Sequence, residues 1–188
     1  AGFPIFLDQL AAGGTWKPSN NKVHIVQEQL AYTQTISKAT QEALKKSKFE
    51  LAKITDIQFP VQDWGPVIQE IKKTGAGVVM IDHWVGAEEA AFAKQFAANP
   101  SKDALVYLQY GPSQPEFLQL AGPAAEGFIW GTVYGAYADK QGWITAPSTT
   151  SPLAAQARRT PWSGYWWSMQ NGELVLGCAA PSQFSGAT

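Results

Sequence analysis

Apolar residues along the middle of this chain fall in short unbroken runs, and each run ends in a polar or aromatic cluster. Gly77-Val78-Val79-Met80-Ile81 is followed by Asp82-His83-Trp84, and Ala104-Leu105-Val106-Tyr107-Leu108 by Gln109-Tyr110-Gly111. Between runs the apolar positions switch to helical spacing: Trp64, Val67, Ile68 and Ile71 form an i, i+3, i+4, i+7 set. Unbroken apolar strands alternating with helices specify a parallel sheet covered on both faces, a three-layer α/β fold. Such sheets bind ligands outside the carboxyl ends of their strands. The pattern therefore locates a site before it names a ligand.

The same reading predicts a short helix over 3–13, a strand from Lys22 to Gln27, a helix over 31–46 and a strand from Phe49 to Ile54. A helix follows Asp63, which is placed as its N-cap, and Gly75 ends it. After the third strand comes an Ala-rich helix from Ala87 to Ala97, then a strand from Ala104 to Gln109. A short helix around 115–120 leads to a fifth strand, Gly127 to Thr132. Beyond Gly135 the alternation stops. Residues 142–163 are rich in Pro, Ser and Thr and read as loop, Glu173 to Leu176 as a strand, and 182–188 as unstructured.

Composition narrows the function classes. The 188 residues suffice for one full core. A net charge of −1 gives no basic field for nucleic acid or an anionic membrane. The lone Cys178 excludes an intramolecular disulfide and a cysteine-built zinc site. No apolar run approaches the roughly 20 residues a membrane helix needs. The opening Ala1-Gly2-Phe3-Pro4 reads as mid-protein sequence, with no signal segment. The chain has 8 Trp, several of them late, at 143, 162, 166 and 167. If exposed, such a surface calls for a partner.

Among chemistry-bearing residues, His83 follows a strand beside Asp82, where general-base work, ligand contact and a structural strand-end role are all open. No nucleophile accompanies the pair. His24 and His83 lie far apart, so no metal is expected, and no cofactor either. Gly75-Ala76-Gly77 precedes its strand, whereas a dinucleotide fingerprint follows one. Ser113 lacks the flanking glycines of a nucleophile elbow. The stronger constellation is aromatic: Tyr32, Trp84 and Tyr110 each follow a strand and so share one sheet edge. Aromatic walls with a few polar groups make a small-molecule cleft. Thr33, Gln34, Thr35 and Gln109 add hydroxyl and amide groups there. Helix N-termini on that edge favour anionic ligand groups. The ligand contacts expected on this reading are Tyr32, Thr33, Asp82, His83, Trp84, Gln109 and Tyr110, with no catalytic residue.

Three segments carry a family resemblance. Lys22-Val23-His24-Ile25-Val26, with Tyr32 and the later Phe49-Glu50-Leu51, resembles the opening of the second lobe of type I periplasmic binding proteins. Val61-Gln62-Asp63-Trp64-Gly65-Pro66-Val67-Ile68 is similar to that family's segment ahead of a helix. Leu120-Ala121-Gly122-Pro123-Ala124-Ala125-Glu126-Gly127 resembles its "AG-x-AAEG" motif, the most specific of the three. The nearest group is the branched-chain amino acid and amide/urea type of ABC-transporter solute-binding proteins.

The resemblance implies one lobe of a two-lobed protein, over residues 1–141, with a parallel sheet of about five strands in flavodoxin-like order. It implies an extracytoplasmic or periplasmic protein that closes on a small polar solute and docks on an ABC permease, without a chemical step. The first lobe would precede residue 1. Residues 142–188 form an atypical tail, within which 161–166 resembles the return to that lobe. The hinge is expected over Thr132 to Gly135 and ahead of Lys22.

By position Tyr32, Trp84 and Tyr110 fall where members place second-lobe contacts. Members that bind α-amino acids carry an acid near position 110, where this chain has Tyr110 and Asp82 is the substitute. An amide, urea-like or aromatic carboxylate solute is then as well supported as a branched-chain amino acid. The rival readings are a ligand-sensing domain of a regulator and an α/β enzyme. The surface at Trp130, Tyr134, Tyr137 and the 162–167 Trp cluster is expected to face water and self-associate, or to be covered by the tail.

Overall fold

A computed structural model describes residues 2–14, 16–101, 103–132, 165–170 and 173–177. The chain runs α1 (Gly2–Ala12), β1 (Lys22–Glu28), α2 (Ala31–Leu44), β2 (Glu50–Ile57), α3 (Gly65–Thr74), β3 (Val78–Asp82) and α4 (Gly86–Ala98). It continues through β4 (Leu105–Leu108), α5 (Pro115–Ala121), β5 (Ile129–Thr132), β6 (Tyr165–Gln170) and β7 (Glu173–Gly177). The sheet order is β2-β1-β3-β4-β5-β6-β7. The first five strands are mutually parallel, in the predicted flavodoxin-like order, and β6 and β7 add antiparallel.

The pleat explains why β3 reads as one unbroken apolar run. Side chains alternate between faces, and here both faces are covered. Val78 and Met80 join Phe3, Phe6, Leu7 and Leu10 of α1 in one core cluster. Val79 and Ile81 join Val67, Ile68 and Ile71 of α3 and Phe92 and Phe96 of α4 in the other. The layers are therefore α1 with α2, the sheet, and α3 with α4 and α5. Full burial of an Ile or Phe in such a core contributes about 1.5–3 kcal/mol.

Local chemistry sets the element ends. Gly75 stops α3 in a left-handed conformation (φ 58°), and its N–H returns to the Ile71 and Lys72 carbonyls. At the other end the N-cap is Trp64, not Asp63. The Asp63 carboxylate still accepts from the Gly65 N–H at 2.9 Å, one residue out of register with the expected cap. The fully buried Trp64 ring packs edge-on against Phe92 and draws the helix start to itself. His24 is a satisfied buried histidine, 2.8 Å from the Thr55 hydroxyl and 3.0 Å from that of Thr74. Burial, with Lys53 nearby, pushes it down to about 4, so it is neutral at pH 7.

One exposure expectation is overturned. Trp130 does not face water: it is fully buried in the α3–α4–α5 core, 6.1 Å from the Phe117 ring. Its strand is interior, because β6 pairs with it through Trp130 and Trp167. The sequence reading has no strand over 165–170, so β5 reads as an edge. Tyr134, Tyr137, Trp162 and most of the expected hinge over 132–135 lie outside the described residues. Among the described residues no helix is long and apolar enough to cross a membrane.

Candidate functional site

The carboxyl ends of β1, β2, β3 and β4 open onto one edge. Register fixes their level: Gln27 lies opposite Asp82, Glu28 opposite Ile57, and Ile81 opposite Leu108. The loops leaving these ends carry Tyr32, Phe59, Trp84 and Tyr110.

The aromatic residues at this edge form two ring pairs. Tyr32, on the first turn of α2, is 45% exposed, and its ring lies 6.1 Å from that of Tyr110. Trp84 is 41% exposed and stacks at 6.1 Å on Phe59, itself exposed. Phe59 was missed from sequence. The available signal was its place just after β2, on the same edge as the others. Gln114 ties two edge loops together: its amide donates to the Trp84 carbonyl at 2.8 Å and accepts from the Gly86 N–H at 2.9 Å.

The polar residues divide into two groups beneath that lip. His83 is buried, with Nδ1 3.1 Å from Glu28 Oε2 and Nε2 3.1 Å from Glu88 Oε2. Glu88 also accepts from the Val61 N–H at 2.8 Å. The ring thus links the ends of β1 and α4 and has no nitrogen left for Asp82 or a substrate. No Asp82–His83 dyad forms. Thr33 is also buried: its hydroxyl lies 2.7 Å from the Glu28 carbonyl and 3.0 Å from that of Leu30, closing the β1–α2 turn.

The second group is Asp82, Glu89 and Gln109. Asp82 alternates with Ile81 and so falls on the Met80 side of the sheet. Asp82, Glu89 and Gln109 are all buried. Both oxygens of Asp82, both of Glu89 and Oε1 of Gln109 have no hydrogen-bond partner. Burial, with the Glu28 charge adding to it, pushes Asp82 up to about 8. Burial and then the Asp82 charge push Glu89 well above the carboxylate range. Burial, then Tyr110, then Asp82 raise the Tyr32 hydroxyl, with a smaller contribution from Glu89. The Tyr32 hydroxyl therefore lies within electrostatic reach of both acids.

Glu89 was not singled out from sequence, because nothing in an Ala-rich helix marks which glutamate turns inward. The retrospective signal is Gly111: a Cβ there would lie 2.1 Å from Glu89 Oε2. Gly111→Ala should therefore force the buried carboxylate aside and destabilise the chain by about 1–3 kcal/mol. A denaturant midpoint equal to that of the parent would refute this placement of Glu89.

Among the described residues no group of three His, Cys, Asp or Glu side chains is arranged to hold a metal ion. A recess of about 410 Å³ lies at the opposite edge, between Phe96 and Phe128. It is remote from the aromatic lip and from the strand ends where such sheets bind ligands.

A family model described as periplasmic binding protein matches residues 6–169. Among solved structures, the chain is similar to a Silicibacter pomeroyi protein provisionally named a branched-chain amino acid ABC transporter. Identity is 30% and the TM-score 0.69, over 75% of this chain and 35% of that one. A branched-chain amino acid ABC transporter periplasmic ligand-binding protein of Burkholderia xenovorans matches at 12% identity and TM-score 0.64, over 98% of this chain and 65% of that one. A solute-binding protein of Rhodopseudomonas palustris, solved with 3,4-dihydroxybenzoic acid, matches at 19% identity and TM-score 0.59, over 74% and 38%. No curated protein matches. The chain thus spans about a third to two thirds of the length of these structures. With a matching model over most of its residues and five parallel strands in the expected order, the chain belongs to the type I periplasmic binding protein family.

Proposed function

We propose that this chain contributes the second lobe of an extracytoplasmic solute-binding protein that serves an ABC importer. The lobe, residues 1–141 in the sequence reading, supplies one wall of a cleft; a first lobe supplies the other, and closure traps the solute. No bond is made or broken. The observation that carries the reading is the aromatic lip: Tyr32, Trp84 and Tyr110, with Phe59, on the ligand edge of a parallel sheet. Flat, partly exposed rings over polar acceptors suit a small solute with an apolar or planar body and a polar end. Branched-chain amino acids, amide or urea-like solutes and aromatic carboxylates all meet that description.

One wall buries only part of a solute, so this chain alone should bind at millimolar rather than micromolar strength. Trp fluorescence titration with leucine, benzamide and benzoate tests the lip directly. Trp84→Ala should weaken the best of these by about three- to tenfold, the value of one aromatic contact. Unchanged affinity in that variant would remove Trp84 from the cleft. Micromolar binding by the monomeric chain would overturn the one-wall reading.

A further inference from the structure

Exposed rings make a wall only if the loops that bear them are held. Phe59 is exposed and lies in the loop between β2 and α3. Its ring is 6.1 Å from that of Trp84 and 6.4 Å from that of His83. Ring contacts of this kind are weak against the conformational freedom of a loop. The Trp84 side is tied down separately, by Gln114. The Phe59 side is tied to α4 by two side chains. Glu88 Oε2 accepts from the Val61 N–H at 2.8 Å, two residues beyond Phe59, and Gln95 Oε1 accepts from the Trp64 N–H at 3.1 Å. Glu88 is the tie nearer to the ring.

Glu88 is itself oriented from beneath. The same Oε2 lies 3.1 Å from His83 Nε2, and His83 Nδ1 lies 3.1 Å from Glu28 Oε2 at the end of β1. His83 and Glu28 are buried, and hydrogen bonds are stronger in that low-dielectric setting than in water. Glu88 stands in the first turn of α4, so it is carried by a rigid element. The contacts therefore run without a break from β1 through His83 and Glu88 to the loop that bears Phe59. We infer that Glu88, oriented by His83, is a positioning residue for solute binding: it holds Phe59 against Trp84 and acts on the solute only through those rings. This rests on the ligand edge proposed above and adds the group that sets its geometry.

A loop fixed in advance spares the solute the cost of ordering it. One immobilised side chain is worth about three- to tenfold in affinity. Glu88→Ala removes the Val61 and His83 contacts together and frees the loop. Glu88→Gln is the conservative variant. It keeps an oxygen at the same reach for the Val61 N–H and offers His83 an N–H in place of the second contact. It should therefore keep the wall. The Tyr32–Tyr110 pair is the internal control, because its side of the edge is closed by Thr33 on the Glu28 carbonyl.

The test is NMR of the 13C,15N-labelled chain, first free and then titrated with leucine, benzamide and benzoate. Glu88→Ala should lose the nuclear Overhauser contacts between Phe59 and Trp84 and keep those between Tyr32 and Tyr110. It should bind the probe that the parent binds best about three- to tenfold more weakly. Glu88→Gln should keep both ring pairs and bind within about twofold of the parent. Unchanged ring contacts or unchanged affinity in Glu88→Ala would overturn the inference. So would a Glu88→Gln variant that fails as the alanine variant does. Loss of the tyrosine contacts together with the Phe59–Trp84 contacts would make Glu88 a general structural residue and would overturn it too. The lip itself would stand in those cases. If none of the three probes binds the parent, the ligand edge fails and the inference falls with it, before any variant is made. If Glu88→Ala does not fold, Glu88→Asp takes its place. Its side chain is one methylene too short to serve both partners, and the same losses are expected of it, with the same results overturning the inference.

Discussion

Ile81→Asp should leave this chain without a cooperative fold. Ile81 is fully buried in β3, the strand between β1 and β4, and lies opposite Val26 on one side and Leu108 on the other. It packs in the core cluster that includes Ile68, Phe92 and Trp130. The substitution removes about 2–3 kcal/mol of apolar burial. It also places a carboxylate among hydrocarbon with no donor, adding a penalty of several kcal/mol even if the group stays protonated. A domain of this size has a total stability of about 5–15 kcal/mol, so the sum consumes most of it. Ile81→Val is the control and should cost only about 1 kcal/mol. Circular dichroism melts separate the cases. A parent-like transition in Ile81→Asp would mean that β3 is not an interior strand.

The fold was legible wherever burial made the sequence redundant. Every residue of β3 is buried on one face or the other, so its apolar run could hardly be read otherwise. The α3 stripe was legible for the same reason, since Trp64, Val67, Ile68 and Ile71 all reach the core. The start of α3 was not, because an Asp capping signal competed with the packing of Trp64 and lost by one residue. Strand β6 went unread. It pairs antiparallel with β5, and no local β–α alternation announces such a partner. Trp130 was misplaced as a consequence: whether β5 is an edge is decided by residues more than thirty positions away.

The site was legible to a lesser depth. Strand ends are fixed by local pattern, so Tyr32, Trp84 and Tyr110 could be assigned to one edge from sequence alone. What the remaining candidates do there depends on contacts between distant segments. Asp82 and His83 are neighbours in sequence, yet the pleat sends them into different environments, one between two glutamates and the other among unpaired acceptors. Thr33 looked like a ligand contact and is spent on its own turn. Glu28, Glu88 and Glu89 were not singled out, because burial of a carboxylate leaves no trace in its own segment.

The second large effect follows from those acids: stability should fall as pH rises from about 5 to 8, and Asp82→Asn should remove much of the fall. Burial first, and then the Glu28 charge, push Asp82 from the ordinary carboxylate range up to about 8. The folded state therefore holds this proton more tightly than the unfolded chain does. Stability from this group is fully present below about pH 4 and is lost progressively as pH climbs toward 8. The slope is about 1.4 kcal/mol per pH unit for one group, and Glu89 acts in the same direction. Glu70 runs the other way, held down to about 2 by Lys53 and then Lys73. Its contribution is lost only as pH falls through roughly 4 to 2, so the two windows do not overlap. Asparagine keeps the shape of the protonated acid and cannot ionise. At pH 8 the variant should be more stable than the parent by about 3–5 kcal/mol, and near pH 5 the difference should shrink to about 1–2 kcal/mol. Urea denaturation midpoints across pH 5 to 8.5 measure this directly. Parallel profiles for parent and variant would mean that Asp82 is solvated or already paired.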